Sequence, residues 1–191
     1  MPTVDLEALL ASTGAVLKGH FRLTSGRHSD TYFEKFRVLE RADALSALCS
    51  EIATKTRLLN VDYVMGPTTG GIIIAFEVAR QLGVEARYVE TEDGIKQLRR
   101  GATLEPGKRV LVVDDVLTTG RSVFEVIHVV QEAEAELVGV AVLIDRSESP
   151  IDFGAPLIPA YRVEAHTFAP DDIPAWLMEI PVTKPGTRKD P

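Results

Sequence analysis

The chain alternates short apolar runs with longer segments in which apolar residues recur every three or four positions. Runs of the first kind are typical of buried strands, and segments of the second kind are typical of helices. The pattern predicts strands over Val61–Met65, Val84–Val89, Val110–Val113 and Leu137–Ile144, the last of which closes the series. It predicts helices over Val4–Ala11 with Thr3 as the cap, Ala44–Leu58, Ile72–Leu82 and Val123–Ala135. This alternation predicts an α/β fold with a doubly wound parallel sheet.

Two carboxylates and a turn rich in hydroxyl groups follow the predicted strand Val110–Val113. The sequence continues Asp114, Asp115, Val116, Leu117, Thr118, Thr119, Gly120, Arg121 and Ser122. Ligands of open α/β sheets bind beyond the carboxyl ends of strands, where a carboxylate can accept both hydroxyl protons of a diol. The free N–H groups of the next helix favour a phosphate. The stretch therefore predicts a ribose-phosphate site, although paired aspartates can also simply cap helices.

The same stretch resembles the signature of the type I phosphoribosyltransferases, which use 5-phosphoribosyl 1-pyrophosphate (PRPP). The resemblance implies that the nine residues 114–122 bind PRPP and that Asp114 and Asp115 are catalytic. Arg121 stands where many members of that family carry Gly. Because backbone amides hold the phosphate in such loops, we expect an outward-pointing side chain to be tolerated there.

The loop Gly66–Gly71 follows another predicted strand and therefore lies at the same edge of the sheet. Its two threonines and its glycines let backbone amides approach an anion closely. Clusters of this composition also form ordinary turns. The position of the loop favours pyrophosphate binding by Thr68, Thr69 and Gly70.

The segment Gly19–Phe33 resembles the amino-terminal signature of the orotate phosphoribosyltransferases, and the tail Ile180–Arg188 is also similar to that family. The resemblance implies a small hood, formed by N-terminal and C-terminal segments, in which Thr24, Ser25 and Gly26 contact orotate together with Thr118. Relatives often carry Lys at the position of Thr24. We expect residues 1–191 to form a single domain, with the hood at about 1–40 plus the C-terminal segment and the core at about 41–150.

Arg146 follows the predicted strand Leu137–Ile144 at the same edge of the sheet, and the stretch Leu143–Arg146 resembles the strand end whose Arg recognises orotate in that family. A guanidinium group can bind the carboxylate of orotate through two hydrogen bonds. The alternative is a surface arginine that pairs with Asp145 or Glu148. Position and resemblance together favour orotate binding by Arg146.

The polar segment Thr91–Arg100 is the candidate for the mobile basic loop that orotate phosphoribosyltransferases close over pyrophosphate, commonly from the neighbouring subunit of a dimer. Thr91 stands where relatives usually begin this loop with Arg. Lys96, Arg99 and Arg100 are the candidate catalytic cations, and the alternative is a solvated hairpin. The resemblance implies a homodimer, while the sequence leaves open which cation acts and whether it acts within its own subunit.

Composition narrows the remaining choices. A net charge of -7 argues against a nucleic-acid surface. No apolar run approaches the roughly 18 residues that span a bilayer, and Met1–Gly14 is acidic where a signal peptide would be basic, so we expect a cytoplasmic protein. The lone Cys49 is predicted to lie in the core. The four histidines show no metal-ligand spacing, and magnesium is expected to be carried mainly by PRPP oxygens and water.

The motifs and the family resemblance together imply transfer of phosphoribose from PRPP to N1 of orotate, which gives orotidine 5′-phosphate and pyrophosphate in pyrimidine (UMP) synthesis. A purine-type phosphoribosyltransferase would share the PRPP half but would not require Arg146 or the segment Gly19–Phe33. A non-catalytic regulator that senses PRPP would keep Asp114 and Asp115 but needs a basic face to bind RNA or DNA. Both alternatives stay open at this point.

Overall fold

Two β-sheets organise the chain in the computed structural model, which describes residues 5–23, 25–163 and 166–184. The strands are β1 (Val16–Arg22), β2 (His28–Phe33), β3 (Tyr63–Pro67), β4 (Glu85–Glu92), β5 (Ile95–Gln97), β6 (Arg109–Leu117), β7 (Glu136–Asp145), β8 (Leu157–Arg162), β9 (Thr167–Phe168) and β10 (Val182–Thr183). The α-helices are α1 (Leu6–Thr13), α2 (Phe36–Leu39), α3 (Ala42–Thr56), α4 (Gly70–Leu82), α5 (Arg121–Glu132) and α6 (Ala175–Met178), and a 3-10 turn (Arg57–Leu59) follows α3.

The larger sheet has the strand order β5-β4-β3-β6-β7-β8, and all its neighbouring strands pair in parallel except β5, which runs antiparallel to β4. Side chains of β6 alternate between its two faces. Leu111 and Val113 pack with buried residues of α3 and α4, whereas Val110 and Val112 pack with those of α5. Helices therefore cover both faces, which confirms the predicted doubly wound parallel sheet.

The smaller sheet has the order β10-β1-β2-β9 and joins segments from both ends of the chain. The strands β1 and β2 form an antiparallel hairpin, β9 adds to β2, and β10 pairs in parallel with β1. This sheet is the predicted hood. The part of the similar tail beyond residue 184 lies outside the described residues.

Several predicted ends shift by about two residues. The N-cap of α1 is Asp5, whose carboxylate accepts a hydrogen bond from the N–H of Ala8 at 3.0 Å, so the prediction of Thr3 as the cap is wrong. Thr3 and Val4 themselves lie outside the described residues. The helix α4 begins at Gly70 rather than at Ile72, and β3 ends at Pro67 rather than at Met65.

Two differences concern the sheet itself. The strand β6 continues through the acid pair and stays paired with β7 as far as Leu117 opposite Asp145, so Asp114 and Asp115 lie within its end rather than after it. The prediction that Leu137–Ile144 closes the sheet is wrong, because β8 adds a further parallel strand. Pro159 interrupts the strand signal of β8, and proline is tolerated there because β8 is an edge strand.

Two further observations concern the helices. Cys49 lies on the inner face of α3 and is fully buried, as predicted. In the described part of the chain, no helix combines the length and the apolar character needed to cross a membrane.

Candidate active site

The acid pair lies near the carboxyl end of β6, and both side chains are largely buried. Asp114 and Asp115 are 6% and 7% exposed. The carboxylate of Asp114 accepts hydrogen bonds from the N–H of Asp115 and from the hydroxyl of Ser122. The carboxylate of Asp115 accepts hydrogen bonds from the N–H of Val116 and from the ammonium group of Lys35, both at less than 3 Å. Asp114 therefore faces the start of α5, whereas Asp115 faces Lys35.

The surroundings of Asp114 oppose its ionisation. Burial, followed by the charge of Asp115, raises the pKa of Asp114 from 3.8 to about 6. The hydrogen bond from Ser122 opposes this shift because it favours the charged form. A buried carboxylate gains by accepting further hydrogen bonds, and the hydroxyl groups of a ribose can donate them.

The turn after β6 forms the wall of a cavity of about 420 Å³. Its lining residues are Val116, Leu117, Thr118, Thr119, Gly120, Arg121, Ser122 and Glu125. Gly120 has a φ of 76°, and a Cβ atom there would lie 3.0 Å from the ring of Phe153, so the position favours glycine. The cavity opens at the N-terminus of α5, where unpaired N–H groups and the helix dipole favour an anion.

Arg121 begins α5 and points outward, as expected. Its side chain is 88% exposed, and its Nε lies 3.0 Å from a carboxylate oxygen of Glu125. Glu125, which lines the cavity, therefore has its negative charge partly balanced by Arg121.

The predicted pyrophosphate loop lies directly beside Asp115. A Cβ atom on Gly70 would lie 2.2 Å from Asp115 Oδ2, and one on Gly66 would lie 2.4 Å from the carbonyl oxygen of Gly71. The N–H of Thr68 donates to the carbonyl of Val89 at 3.1 Å, which ties the loop to β4. Only residues without a side chain allow this close approach. The structure thus brings the Thr68–Gly70 loop and the acid pair together.

Arg146 follows β7 and connects the turn after β6 with the hood. Its N–H donates to the carbonyl of Leu117 at 2.9 Å, and its guanidinium Nη2 donates to the carbonyl of Thr31 in β2 at 3.1 Å. Its Nε is buried and has no hydrogen-bond partner within the described residues. Burial lowers the pKa of this guanidinium from its usual value. A buried donor with free capacity is suited to a carboxylate ligand.

The structure does not support the alternative in which Arg146 is a surface residue paired with Asp145 or Glu148. The carboxylate of Asp145 accepts hydrogen bonds from Ser147 and lies 3.6 Å from Arg162. Glu148 pairs with Arg27 at 3.5 Å. Both acids named in that alternative thus have other partners.

The candidate orotate turn connects β1 to β2. The N–H of Gly26 donates to the carbonyl of Leu23 at 2.9 Å, and the φ of Gly26 is 82°, a value that favours glycine. The Ser25 hydroxyl accepts a weak bond from the N–H of Arg27 at 3.4 Å. The bonds of this turn are therefore local, and Thr24 lies outside the described residues.

The segment Thr91–Arg100 forms a hairpin from the end of β4 and β5, with Thr91 paired to Lys96. Each candidate cation faces a carboxylate other than the acid pair. Lys96 lies 3.8 Å from Glu125, while Arg99 and Arg100 pair with Glu92 and Glu90 at 2.9 and 3.2 Å. Within the described residues the hairpin thus does not bring its cations to Asp114 or Asp115.

Sequence reasoning missed the cation that does reach the acid pair. Lys35 Nζ lies 2.7 Å from Asp115 Oδ2. The residue follows β2 and precedes α2, where a single lysine after an acidic residue gives no periodic signal. Its place directly after the segment Gly19–Phe33 is the sequence feature that could have drawn attention to it.

Comparison with known proteins identifies the family of this chain. Residues 38–156 match the family described as "Phosphoribosyl transferase domain". The orotate phosphoribosyltransferase of Pelotomaculum thermopropionicum is 45% identical over 185 residues, which are 97% of this chain and 97% of that protein. The one of Chlorobaculum parvum is 41% identical over 190 residues, covering 100% of this chain and 98% of that protein.

Solved structures show the same relationship. The orotate phosphoribosyltransferase from Aeropyrum pernix superposes with a TM-score of 0.71 at 30% identity, covering 83% of this chain and 93% of that one. An adenine phosphoribosyltransferase from Thermoanaerobacter pseudethanolicus, at 19% identity and a TM-score of 0.60 over 70% of this chain and 88% of that one, shares the fold. The chain therefore belongs to the phosphoribosyl transferase family and, within it, to the orotate phosphoribosyltransferases.

Proposed function

We propose that this protein transfers phosphoribose from PRPP to N1 of orotate, as a step of pyrimidine synthesis. The bond between C1 of the ribose and the pyrophosphate oxygen breaks, the bond between N1 and C1 forms, and the N1 proton is released. The choice of orotate rests on Arg146. Its buried Nε has no hydrogen-bond partner within the described residues, and its backbone N–H is bonded to Leu117, next to the proposed PRPP turn Thr118–Ser122. Orotate is a pyrimidine with a carboxylate, and the guanidinium group of Arg146 can bind that carboxylate.

The PRPP half of the site follows from the two loops. Asp114 and Asp115 accept hydrogen bonds from the ribose hydroxyls, and residues Thr118–Ser122 hold the 5′-phosphate at the start of α5. Thr68, Thr69 and Gly70 hold the pyrophosphate, since Gly70 touches Asp115. The ribose becomes positively charged as pyrophosphate leaves, so the rate depends on orientation and on charge placed near the leaving group.

The base half lies between the hood and Arg146. Ser25 and Gly26, with Thr24 and Thr118, contact orotate, and Arg146 binds its carboxylate. The bond from Arg146 to the carbonyl of Thr31 supports this role because it attaches the guanidinium to the hood strand β2.

Magnesium is the cofactor we propose for the reaction. The described residues contain no group of three or more His, Cys, Asp or Glu side chains that could hold a metal ion. Magnesium commonly binds through one or two carboxylates together with substrate phosphates, and Asp114 and Asp115 fit that pattern. When bound, it neutralises charge on the pyrophosphate.

The direct test is an assay with purified protein, PRPP, magnesium and single bases. We expect orotidine 5′-phosphate to form from orotate only when PRPP and magnesium are present. Faster turnover of hypoxanthine, xanthine, adenine or uracil would refute the proposal. Arg146→Gln should raise the KM for orotate, whereas Arg162→Gln, which alters an exposed arginine outside the proposed site, serves as the matched control.

We further propose that the protein works as a homodimer in which the Thr91–Arg100 hairpin acts across the interface. The family resemblance suggests this arrangement. Arg99 and Arg100 are exposed, and exposed ion pairs contribute at most about 1 kcal/mol, so closing over a polyanion costs little. The cytoplasmic location expected from the sequence stays a prediction.

Mixing two inactive variants tests the hairpin. One carries Asp115→Asn, and the other has Lys96, Arg99 and Arg100 all replaced by Ala. If the hairpin acts in trans, a hybrid dimer has one site with intact Asp115 and an intact partner hairpin, so activity returns. Verified hybrid dimers that stay inactive would show that the hairpin serves its own subunit. Full activity of the triple-Ala parent would show that the three cations are dispensable.

A further inference from the structure

We infer that Lys35 is a PRPP-binding residue, which holds Asp115 through an ion pair and contacts the pyrophosphate of PRPP at the start of the reaction. The inference rests on the proposed function and adds a residue to its site. Lys35 Nζ donates to Asp115 Oδ2 at 2.7 Å, and the lysine side chain is 40% exposed. It therefore reaches the acid pair while remaining accessible to a ligand.

The position of Lys35 places its charge on the pyrophosphate side of the site. Asp115 Oδ2, the atom it contacts, is also the atom that a Cβ on Gly70 would meet at 2.2 Å. Leu39, at the end of α2, would lie 3.3 Å from the same Cβ. The short segment from Lys35 to Leu39 therefore contacts Asp115 at one end and approaches Gly70 of the pyrophosphate loop at the other.

The backbone fixes where this lysine starts. The carbonyl of Lys35 accepts hydrogen bonds from the N–H groups of Val38 and Leu39, both at 3.0 Å. These bonds hold the backbone of Lys35 at the start of α2. Its Nζ lies 5.7 Å from the centre of the Phe36 ring, which offers the ammonium group a second, weaker contact.

Charge balance explains why a cation is needed at this point. The proposed site brings a polyanion next to two carboxylates, which repel it. The cations of the Thr91–Arg100 hairpin face Glu90, Glu92 and Glu125 instead. When the ribose hydroxyls donate to Asp115, they compete with Lys35 for the same oxygen, and the freed ammonium group can turn to the adjacent pyrophosphate.

The charges around Tyr32 indicate that Lys35 lies between the two halves of the site. Burial raises the pKa of its hydroxyl, while the charges of Arg146 and Lys35 both act in the opposite direction. Tyr32 is thus within electrostatic reach of the proposed orotate arginine and of Lys35. Lys35 therefore lies near the proposed orotate arginine as well as in contact with the acid pair.

The test compares Lys35→Met and Lys35→Arg with Lys55→Met. Lys55 is a matched control because it is 42% exposed, pairs with Glu51 at 3.2 Å and lies on α3 outside the site. We expect Lys35→Met to raise the KM for PRPP, and for pyrophosphate in the reverse reaction, about ten- to hundredfold, as for the loss of a charged hydrogen bond. The KM for orotate should change less than twofold, Lys35→Arg should restore part of the loss, and Lys55→Met should match the wild type.

A second measurement separates binding of PRPP from support of Asp115. PRPP is titrated calorimetrically, with magnesium, into Asp115→Asn and into Asp115→Asn combined with Lys35→Met. If Lys35 binds PRPP, the added change weakens binding at least tenfold. If the two proteins bind PRPP equally, Lys35 acts only through Asp115 and the inference is overturned.

Other results also decide the question. An unchanged KM for PRPP in folded Lys35→Met, or an equal rise in the KM for orotate, would overturn the inference. If Lys35→Met does not fold, Lys35→Gln takes its place with the same expected values. A wild-type protein that forms no nucleotide from orotate would refute the proposed function, whereas an active wild type with insensitive Lys35 variants would refute this inference alone.

Discussion

Replacing Asp114 by Asn should abolish most of the activity and, above pH 6, make the protein more stable. Asp114 is almost fully buried, and burial together with the charge of Asp115 raises its pKa from 3.8 to about 6. A carboxyl group whose pKa is raised by folding is harder to ionise in the folded protein than in the unfolded chain. Wherever it is ionised, it therefore lowers the free energy of unfolding.

The size and the pH range of this effect follow from the two pKa values. Between pH 3.8 and about 6 the folded protein keeps a proton that the unfolded chain has lost, so stability falls as the pH rises. Above pH 6 the loss is complete. A shift of about two units corresponds to at most about 3 kcal/mol and already includes the hydrogen bonds to Asp114. The buried NH2 group of the introduced Asn needs a partner of its own, which reduces the gain. We expect a net gain of about 1–2 kcal/mol in Asp114→Asn, or about 2–8 °C in Tm for a chain of this size.

Thermal melting at pH 5 and pH 8 measures the gain, and the orotate assay measures the loss. The Tm difference between Asp114→Asn and the wild type should be larger at pH 8 than at pH 5. The value of kcat/KM for PRPP should fall about a hundredfold, because the ribose loses a charged acceptor. Activity of the wild type should rise as the pH passes through about 6, where Asp114 becomes ionised.

Asp62→Asn is a control for which we expect the opposite change in stability. The N–H of Arg109 donates to Asp62 and, as the largest cause, lowers the pKa of that carboxyl. Its ionised form therefore stabilises the fold above the unfolded pKa of about 3.9, and its replacement should lower the Tm at pH 8. If Asp114→Asn melted at or below the wild-type temperature at pH 8, the burial cost assigned to Asp114 would be refuted.

Three further changes test single contacts. Gly70→Ala places a Cβ 2.2 Å from Asp115 Oδ2, so the KM for PRPP should rise at least tenfold, and wild-type kinetics would contradict the close approach of the loop. Burial raises the pKa of Cys49 to about 12, so iodoacetamide at pH 8 should label it only after unfolding; native labelling at the unfolded rate would show that it is accessible. Arg121→Gly removes an exposed side chain, and kcat/KM for PRPP should stay within about twofold, whereas a tenfold loss would show that the guanidinium contacts substrate.

The large sheet and the turn after β6 could be predicted because they depend on local sequence. The run Val110–Val113 is apolar at every position and is fully buried, so both its type and its direction toward the acid pair are readable. The loop at Gly66–Gly71 follows β3 in the same way. The carboxyl ends of parallel strands lie at the same edge of a sheet. The sequence alone therefore predicted that the acid pair and this loop lie close together.

The hood strands could not be found from hydrophobic periodicity. In β2 the buried positions are Ser29, Thr31 and Phe33, so two of the three inward side chains are polar. The Ser29 hydroxyl lies 2.9 Å from the carbonyl oxygens of Thr31 and His166, which share its single proton, and it accepts a hydrogen bond from the N–H of Thr31. The resemblance to a family located this segment, and its alternation of apolar and polar residues did not.

The ion pairs of the Thr91–Arg100 hairpin show a second limit. Its cations were identified from composition, but their partners were not. Arg99 and Arg100 pair with acids on the facing strand, and this pairing depends on the register of β4 against β5. Lys35 was missed for the same reason, since Asp115 is 80 positions away in the sequence.

The bond that connects Arg146 to the hood is made by the backbone of β2, not by a side chain of that strand. Arg146 reaches the carbonyl of Thr31 across 115 positions of sequence, and this bond holds the guanidinium between the hood and the PRPP turn. Any residue at position 31 would offer the same carbonyl, so the residue type there does not reveal the contact. Two of the three buried positions of this strand are also polar, which removes the apolar period that sequence reasoning uses to find strands. In this chain the part of the fold that is hardest to predict is the part proposed to select orotate over other bases.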